Sequence, residues 1–464
     1  MQLALQPISL LSGWVPITIQ VIAAAVLVVA IGWRSRRWRL LWVPVSLLLG
    51  VALAFAIWWF LNWSGVAGHP APPTLWIWIA LSALAATVLV VGWRDNRWWR
   101  RTVSVLAVPL CVLCAALAVD LWTGYVPTVQ TGWDQLTGQP LPGQTDEASV
   151  AAMREHGDKP LQGTIVSVTI PDDASHFPHR SEFVYLPPAW YASNPPPRLP
   201  VVMMISTEFG TAQDWLRVGD AKKTVDDFAA HHGGNAPVLV FVDSTGAFSN
   251  DTECVNGVRG NAADHLTKDV VPYVSSHFGT SADPANWGIV GISVGGTCAV
   301  TLAVKYPELF SGFVDIDGDL FPNVGFKEQT IPRLFGGDAD AFASFDPSEV
   351  MATHGPYTGV AGWFAVSGDY PTVYHDGTVG AGDPGPVNYS ADKGEAANYL
   401  CALASRYGIE CSVVGVPGHH TWQFGATVFA DALPWLAAKL HTPGVPQTPL
   451  PGAPAAPRGV AGGN

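Results

Sequence analysis

The chain has 464 residues, a formal net charge of -13, only 13% charged residues and a mean hydropathy of +0.24. That length allows two or three structural units, and so apolar a composition predicts that part of the chain lies in lipid. The acidic balance excludes a nucleic-acid partner, because no basic stripe is available to neutralise phosphates.

Four apolar stretches occupy the first third of the chain, at residues 14–33, 41–63, 74–93 and 102–122. Each is long enough to cross a hydrocarbon layer of about 30 Å at 1.5 Å per residue. Tryptophans stand at their ends, as in the aromatic belts of membrane proteins. Residues 1–125 are therefore predicted to form a membrane domain of four transmembrane helices in the bilayer.

Two short loops of this region are rich in arginine, and the loop between the second and third stretches has no Lys or Arg. The positive-inside rule places both arginine loops in the cytoplasm, so everything after residue 122 is predicted to face outward. This describes a multi-pass protein of the cytoplasmic membrane with an extracytoplasmic C-terminal domain. The loop arginines are Arg34, Arg36, Arg37 and Arg39, and Arg94, Arg97, Arg100 and Arg101.

Composition divides the remainder of the chain into three parts. Residues 126–160 are rich in Gly, Pro, Thr and Gln without a sustained period and are predicted to be a linker. Residues 442–464 are a Pro/Gly/Ala-rich tail that cannot bury a core and is predicted to be disordered. Residues 161–441, between them, are predicted to form a globular extracytoplasmic domain.

Apolar, β-branched runs alternate with helical patterns along this domain. The alternation predicts an α/β fold with a mostly parallel central sheet and helices on both faces, in which chemistry sits at the carboxyl ends of strands. The candidate strands are GTIVSVTI, SEFVYLPP, LPVVMMIS, APVLVFVD, WGIVGIS, SGFVDID, GWFAVSG and ECSVVGVPG. The candidate helices include AQDWLRVG, KKTVDDFAAHH, LTKDVVPYVSSHF, GGTCAVTLAVKYP and GEAANYLCALASRYG.

Ser293 lies in a G-x-S-x-G pattern between a predicted strand and a predicted helix. Strand, sharp turn and helix together are typical of a nucleophile elbow, which exposes the serine hydroxyl at the helix N-terminus. Such a serine needs a base, and in this fold the histidine comes last along the chain. His420, in VPGHHTWQF after the last predicted strand, is the candidate, with His419 as the neighbour to exclude.

The sequence predicts no cofactor and no metal site, because it has no H-E-x-x-H motif, no dinucleotide fingerprint and no paired C-x-x-C outside the membrane region. Asp315, Asp317 and Asp319 alternate in VDIDGDLF, which is more typical of a strand end with solvated carboxylates than of a cation loop. An oxidising exterior would permit disulfides, with Cys401 to Cys411 conceivable, although sequence alone does not fix the pairing.

Three segments together resemble the putative-esterase family of α/β-hydrolases, which includes the secreted mycolyltransferases. They are HLTKDVVPYVSSHFG, WGIVGISVGGTCAVTLAVKYPELFSGFVDIDG and GHHTW, and the likeness covers roughly residues 165–440. The resemblance implies an α/β-hydrolase fold preceded by the four transmembrane helices. It also implies a serine nucleophile matching Ser293 and a base matching His420.

The same resemblance assigns further site residues. One oxyanion amide would come from Phe209 or Gly210, paired with the amide of Val294. Asp214, in the A-Q-D of the same loop, would contact a sugar hydroxyl, with a helix N-cap as the equally weighted alternative. The loop reads STEFG where the transferases have an aspartate followed by glycine, so the acyl acceptor stays open.

Two candidates are kept for the acid of the triad. Asp369 directly follows the predicted strand GWFAVSG, the usual neighbourhood for such an acid. The spacing from the base in the resembling mycolyltransferases instead favours the region of Asp392. Asp376 and Asp383, in the same glycine-rich loop, remain possible.

The predicted function is that of a membrane-anchored serine esterase or acyltransferase. It would act outside the cytoplasmic membrane on ester-linked acyl groups of envelope lipids or glycolipids, through an acyl-enzyme on Ser293. The alternative is a non-catalytic envelope scaffold that keeps the hydrolase fold as a binding module. That alternative predicts a blocked or unactivated Ser293.

Overall fold

The computed structural model describes residues 8–32, 34–64, 71–94, 97–380, 384–385, 387 and 392–454. They fall into two units, Met1–Gln139 and Pro140–Asn464. The first unit contains helices α1 Trp14–Ile31, α2 Val43–Ser64, which continues a π-helical turn Trp38–Trp42, α3 Pro73–Gly92 and α4 Trp98–Thr123.

The four long helices are apolar enough to span a membrane, which confirms the four predicted spans. Their packing is inverted relative to a water-soluble bundle. Small residues such as Ala23, Ala30 and Ala107 are fully buried between helices, whereas Leu48 and Val90 are 68% and 74% exposed. Close approach through small residues, with large apolar side chains turned outward, is how helices associate in lipid.

The segment predicted as a linker is more ordered than its composition indicated. It contains helix α5 Val129–Thr137, strand β1 Gln144–Thr145 and helix α6 Glu147–His156. Thr128 and Asp146 accept N-cap hydrogen bonds, and left-handed Gly138 and Gly157 close the helices. These caps, rather than a long hydrophobic period, stabilise the two short helices. The boundary between the two units therefore falls inside the predicted linker.

A ten-stranded sheet forms the centre of the second unit, in the order β1-β2-β3-β5-β4-β8-β9-β10-β12-β11. All eight predicted strands are present. Six neighbouring strands of the sheet are mutually parallel, namely β5, β4, β8, β9, β10 and β12. This confirms the predicted α/β-hydrolase fold class. The strands after β1 are β2 Thr164–Val168, β3 Glu182–Leu186, β4 Val201–Ile205, β5 Val238–Val242, β8 Trp287–Ile292, β9 Gly312–Ile316, β10 Ala361–Ser367, β11 Val373–His375 and β12 Glu410–Val416, with a separate hairpin of β6 Asn256–Gly257 and β7 Gly260–Asn261.

Helices cover both faces of this sheet. A side chain at Gly288 would meet Leu436 of the last helix, whereas one at Gly291 would meet Gly295 at the start of the helix that follows β8. Because alternate strand positions point to opposite faces, these two helices lie on opposite sides of β8. The helices of this unit after α6 are α7 Asp214–Arg217, α8 Ala221–His231, α9 Ala262–Asp264, a π-helical turn His265–Val270, α10 Val271–His277, α11 Val294–Lys305, α12 Lys327–Phe335, α13 Ala339–Ala343, α14 Pro347–His354, α15 Lys393–Arg406 and α16 Trp422–Lys439.

Two disulfides lie in the second unit, Cys254–Cys298 and Cys401–Cys411. The first ties the loop after β5 to α11, and the second, the pairing conceived from the sequence, ties α15 to β12. Cys111 and Cys114 are free.

The start of the predicted tail is also ordered. Leu450 is 3% exposed, and the Ser412 hydroxyl of β12 donates to the carbonyl of Pro451 at 2.7 Å. A Pro-rich segment forms no core of its own, but a single apolar side chain and one backbone contact hold it against the sheet. Residues 455–464 lie outside the described residues.

Candidate active site

The turn between β8 and α11 holds Ser293 in a backbone conformation that non-glycine residues rarely adopt, with φ 59° and ψ -124°. Its amide donates to the carbonyl of Ile316 at 2.8 Å, which fixes the turn against β9. Strain of this kind persists only where the surroundings enforce it. The structure therefore has the strand, turn and helix on which the prediction of a nucleophile elbow rests.

The flanking glycines are required by close backbone approach. A Cβ at Gly291 would lie 1.8 Å from the carbonyl oxygen of Gly295, and a Cβ at Gly295 would lie 2.5 Å from the carbonyl oxygen of Ile205. Neither atom belongs to a flexible side chain, so neither can give way locally.

We expect Gly291→Ala to displace Ser293, because the turn must open to admit the methyl group. The expected result is a lower midpoint of thermal unfolding and loss of labelling of Ser293 by a fluorophosphonate probe. Gly312→Ala is the matched control, since its nearest neighbour is a side-chain methyl group, Leu436 Cδ1, at 3.0 Å. Equal labelling of the two variants would contradict this account of the turn.

His420 is held by Asp317, whose Oδ2 lies 2.9 Å from His420 Nδ1. Asp317 directly follows β9, as Ser293 directly follows β8, and the last residues of these strands, Ile292 and Ile316, are register partners. Neighbouring strands lie about 4.8 Å apart, so serine and aspartate leave the same edge of the sheet side by side. The histidine is brought to this edge by the loop between β12 and α16.

The carboxylate that contacts His420 is that of Asp317, and the two acids predicted from the sequence have other contacts or positions. Asp392 caps α15 by accepting from the Glu395 amide at 2.8 Å, and it also accepts from Tyr370 Oη at 3.2 Å. Asp369 is exposed in the turn after β10, and Asp376 accepts from Thr378. Asp383 lies outside the described residues.

The expectation of solvated carboxylates in VDIDGDLF is wrong for two of the three. Asp315 is 3% exposed and Asp317 is 1% exposed. Strands in the middle of a parallel sheet are buried on both faces, so alternation along β9 does not create a solvent face.

The carboxyl of Asp317 is held in its charged form. Burial favours the neutral acid, but hydrogen bonds from the His420 ring and from the Ser367 amide, at 2.7 Å, hold the pKa of Asp317 below its ordinary value. An ionised carboxylate at Nδ1 fixes the tautomer in which Nδ1 carries the proton and Nε2 is the basic nitrogen. His420 is thereby prepared to take a proton from a neighbouring hydroxyl. His419 is exposed and makes no described contact of this kind.

The buried carboxyl of Asp315 behaves in the opposite way, because burial raises its pKa to about 7. Its Oδ1 accepts from the Gly318 amide at 2.7 Å, and an Asn at this position can accept the same bond. Because the pKa of Asp315 is higher in the folded than in the unfolded protein, the free energy of unfolding falls as the pH rises from the unfolded-state pKa toward 7.

We therefore expect Asp315→Asn to raise the midpoint of thermal unfolding more at pH 8 than at pH 5. Parallel thermal unfolding curves at the two pH values measure the difference. If the midpoint of the variant, relative to that of the wild type, is no higher at pH 8 than at pH 5, the account of a buried charge at Asp315 is wrong. Asp376→Asn, at an exposed carboxylate, serves as the control and is expected to show no such pH dependence.

The predicted oxyanion donors lie at the start of α11 and in the loop after β4. Val294 is the first residue of α11, where a backbone amide has no intrahelical acceptor, and it directly follows Ser293. Gly210, however, donates its amide to the Thr207 carbonyl at 2.9 Å within its own loop. Its carbonyl accepts from Arg180 Nη2 at 2.7 Å. Of the two predicted loop donors, the amide of Phe209 is the better candidate, and Gly210 is a structural member of the turn.

Asp214 lies buried at the start of α7. It is 2% exposed and accepts from the Thr211 amide at 2.6 Å and from the Thr211 hydroxyl at 3.0 Å. These bonds tie Asp214 to the loop before α7, in which Gln213 has the N-cap position.

Acidic groups surround the loop that carries Phe209. Burial raises the pKa of Glu208 to about 8, with repulsion from Asp251 and Asp319 adding to the effect and Arg259 opposing it. Burial also raises the pKa of Asp251 to about 6. The carboxyl of Glu208 is therefore protonated in part at neutral pH and can donate a hydrogen bond.

A serine at a strained strand-to-helix turn, beside an Asp–His pair on the same sheet edge, places the second unit in the class of α/β-hydrolases. Residues 179–333 match the Esterase family model, described as "Putative esterase", which confirms the resemblance to that family and supports a carboxylic ester hydrolase. The chain is also 27% identical over 440 residues to an uncharacterized protein of Corynebacterium glutamicum, covering 91% of this chain and 95% of that protein.

Two solved structures illustrate the structural likeness. The S-formylglutathione hydrolase of Agrobacterium tumefaciens is 16% identical, with a TM-score of 0.45, and covers 61% of this chain and 98% of its own. FphF, a fluorophosphonate-binding serine hydrolase of Staphylococcus aureus, is 15% identical, with a TM-score of 0.44, and covers 59% of this chain and 98% of its own.

Proposed function

We propose that the protein is a serine esterase or acyltransferase anchored in the cytoplasmic membrane, with its hydrolase domain outside the cell. Its substrates would be ester-linked acyl groups of envelope lipids or glycolipids. The observation that carries the proposal is the Asp317–His420 pair at the sheet edge on which Ser293 stands in its strained turn. The Esterase family match supports the same chemistry.

The proposed reaction follows from these groups. Ser293 Oγ attacks the ester carbonyl carbon while His420 Nε2 takes the hydroxyl proton, and the amides of Val294 and Phe209 hold the charge on the carbonyl oxygen. His420 then gives the proton to the departing alcohol, leaving an acyl-enzyme. Water or a second alcohol attacks the acyl carbon while its proton passes to His420 Nε2. His420 then returns that proton to Ser293 Oγ as the bond from the acyl carbon to Oγ breaks, releasing the acid or the new ester.

The outward orientation is supported by the arginines between α1 and α2 and between α3 and α4, which favour a cytoplasmic position. Two disulfides in the hydrolase domain are also typical of an oxidising compartment. A domain held at the outer face of the cytoplasmic membrane meets acylated envelope molecules at high local concentration. This supports envelope lipids and glycolipids as the substrate class.

Glu208, next to Phe209 in the same loop, supports a polar molecule as the acceptor of the acyl group. Its carboxyl, with a pKa raised to about 8 by burial, could donate to or accept from the hydroxyl of an incoming alcohol. In this proposal Glu208 replaces the aspartate of the resembling transferases as the contact for the acceptor.

The experiment is a comparison of envelope lipids by mass spectrometry in cells that lack the gene and in cells complemented with wild type or Ser293→Ala. The proposal predicts that one class of acylated envelope lipid changes on deletion and is restored only by the wild type. Restoration by Ser293→Ala would support a scaffold instead. If the wild-type protein and Ser293→Ala reach the membrane in equal amounts and neither reverses the lipid change, the substrate assignment is overturned.

A further inference from the structure

Three buried side chains outside the active site converge in the hydrolase domain. Glu182 begins β3, and His265 begins the π-helical turn after α9; both are fully buried. His179 lies just before β3, with a side chain that is 10% exposed. One potential ligand atom from each of the three lies within 4.8 Å of the other two.

The spacing of these atoms suits a small cation. Glu182 Oε1 lies 3.0 Å from His265 Nε2, and Glu182 Oε2 lies 3.5 Å from His179 Nδ1. A tetrahedral ion with bonds of about 2.0–2.1 Å holds its ligands about 3.3 Å apart. The two observed separations bracket that value.

The other nitrogen of each imidazole already has an acceptor. His179 Nε2 lies 2.9 Å from the Ile170 carbonyl oxygen, and His265 Nδ1 lies 3.4 Å from Asp269 Oδ2. Metal-binding histidines characteristically donate this second N–H to a carbonyl or carboxylate, which directs the lone pair of the first nitrogen to the ion. With both N–H groups donated in this way, the remaining nitrogens, His179 Nδ1 and His265 Nε2, lie on the side of Glu182.

Without a metal ion, the hydrogen bonds of these three side chains are incomplete. A proton on His179 Nδ1 would serve the Arg180 carbonyl oxygen, 3.0 Å away. It would leave Glu182 Oε2 buried and, among the described residues, without a hydrogen-bond partner. An unpaired buried carboxylate oxygen is costly. One cation between the three side chains would satisfy both carboxylate oxygens and both lone pairs.

We propose that His179, Glu182 and His265 bind one divalent metal ion of the zinc type. Two imidazoles and one carboxylate suit Zn²⁺, whereas Ca²⁺ and Mg²⁺ prefer oxygen ligands throughout. The ion would be structural, because Glu182 and His265 are fully buried and the His179 side chain is only 10% exposed. Glu182 Oε1 also accepts from the Asp243 amide at 3.0 Å, so the ion would join β3, the end of β5 and the π-helical turn.

The test measures zinc in the full chain, purified in detergent through a tag without histidine from cells supplied with ZnSO₄. Cys111→Ser/Cys114→Ser is the parent, because these free cysteines have a C-x-x-C spacing that could itself bind zinc. After desalting against EDTA, mass spectrometry should find about one zinc per chain in the parent. His179→Gln, which keeps a donor for the Ile170 carbonyl, and His265→Asn should each lose at least nine-tenths of it.

The matched control is His231→Gln, since His231 is exposed at the end of α8, and its zinc content should equal that of the parent. A parent without zinc, or cluster variants that keep it, would overturn the proposal. If the variants fail to fold, X-ray absorption of the zinc-loaded parent decides the matter. Nitrogen and oxygen neighbours at about 2.0–2.1 Å would support the site, and sulfur neighbours or no bound zinc would overturn it.

Discussion

We expect Ser293→Ala to abolish ester hydrolysis and covalent labelling by a fluorophosphonate probe. Removing the hydroxyl leaves His420 without a proton to accept and the probe without a nucleophile. In enzymes with this triad the loss of the serine lowers kcat by about 10⁶-fold. The measurement is turnover of a p-nitrophenyl acyl ester by the full chain in detergent, with gel fluorescence of the labelled protein.

Ser311→Ala is the control for this experiment, because Ser311 is a buried serine outside the sheet edge that carries the site, with its hydroxyl bonded to the Ala285 carbonyl at 3.1 Å. The control should keep its labelling if it folds, which thermal unfolding checks. Labelling of Ser293→Ala at the rate of the wild type would mean that another residue is the nucleophile. The assignment of an acyl-enzyme to Ser293 would then be wrong.

We expect Asp317→Asn to lower kcat by about 10⁴-fold while the protein stays folded. The amide can retain contact with His420 but favours the wrong tautomer, and it removes the negative charge that stabilises the imidazolium. Because the pKa of Asp317 is below its ordinary value, the wild-type carboxylate remains charged throughout the neutral range. The defect of the variant should therefore persist at every pH from 6 to 9.

Asp392→Asn separates this assignment from the acid predicted from the sequence. Asparagine caps a helix as well as aspartate does, so this variant keeps the start of α15 and loses only the charge. Its turnover should stay within a few-fold of the wild type. A large loss in Asp392→Asn with little loss in Asp317→Asn would reverse the assignment of the acid.

The fold could be predicted from sequence because its signals are local and repeated. Each of the eight predicted strands is a short apolar run bounded by turn residues, and each span of the membrane unit is a long apolar run. The three helices between β9 and α15 that were not predicted have nine residues or fewer, which is too short for a repeated helical pattern. For two of them, α13 and α14, the visible signal is the N-terminal cap at Asp338 and Asp346.

The site was predictable where chemistry is tied to a local pattern, and not where it depends on which strands are neighbours. Ser293 is marked by its glycines and its place between strand and helix. His420 is marked by a short motif after the last parallel strand. Asp317 has no such mark, because only the pairing of β8 with β9 brings it beside Ser293. The same limit applies to His179, Glu182 and His265, which are far apart in sequence.

Asp317 follows β9, the strand paired with β8, which Ser293 follows. The carboxylate that contacts His420 therefore comes from outside the stretch between Gly368 and Asp392. We expect chimaeras that exchange this stretch for that of a relative to keep the Asp317–His420 contact.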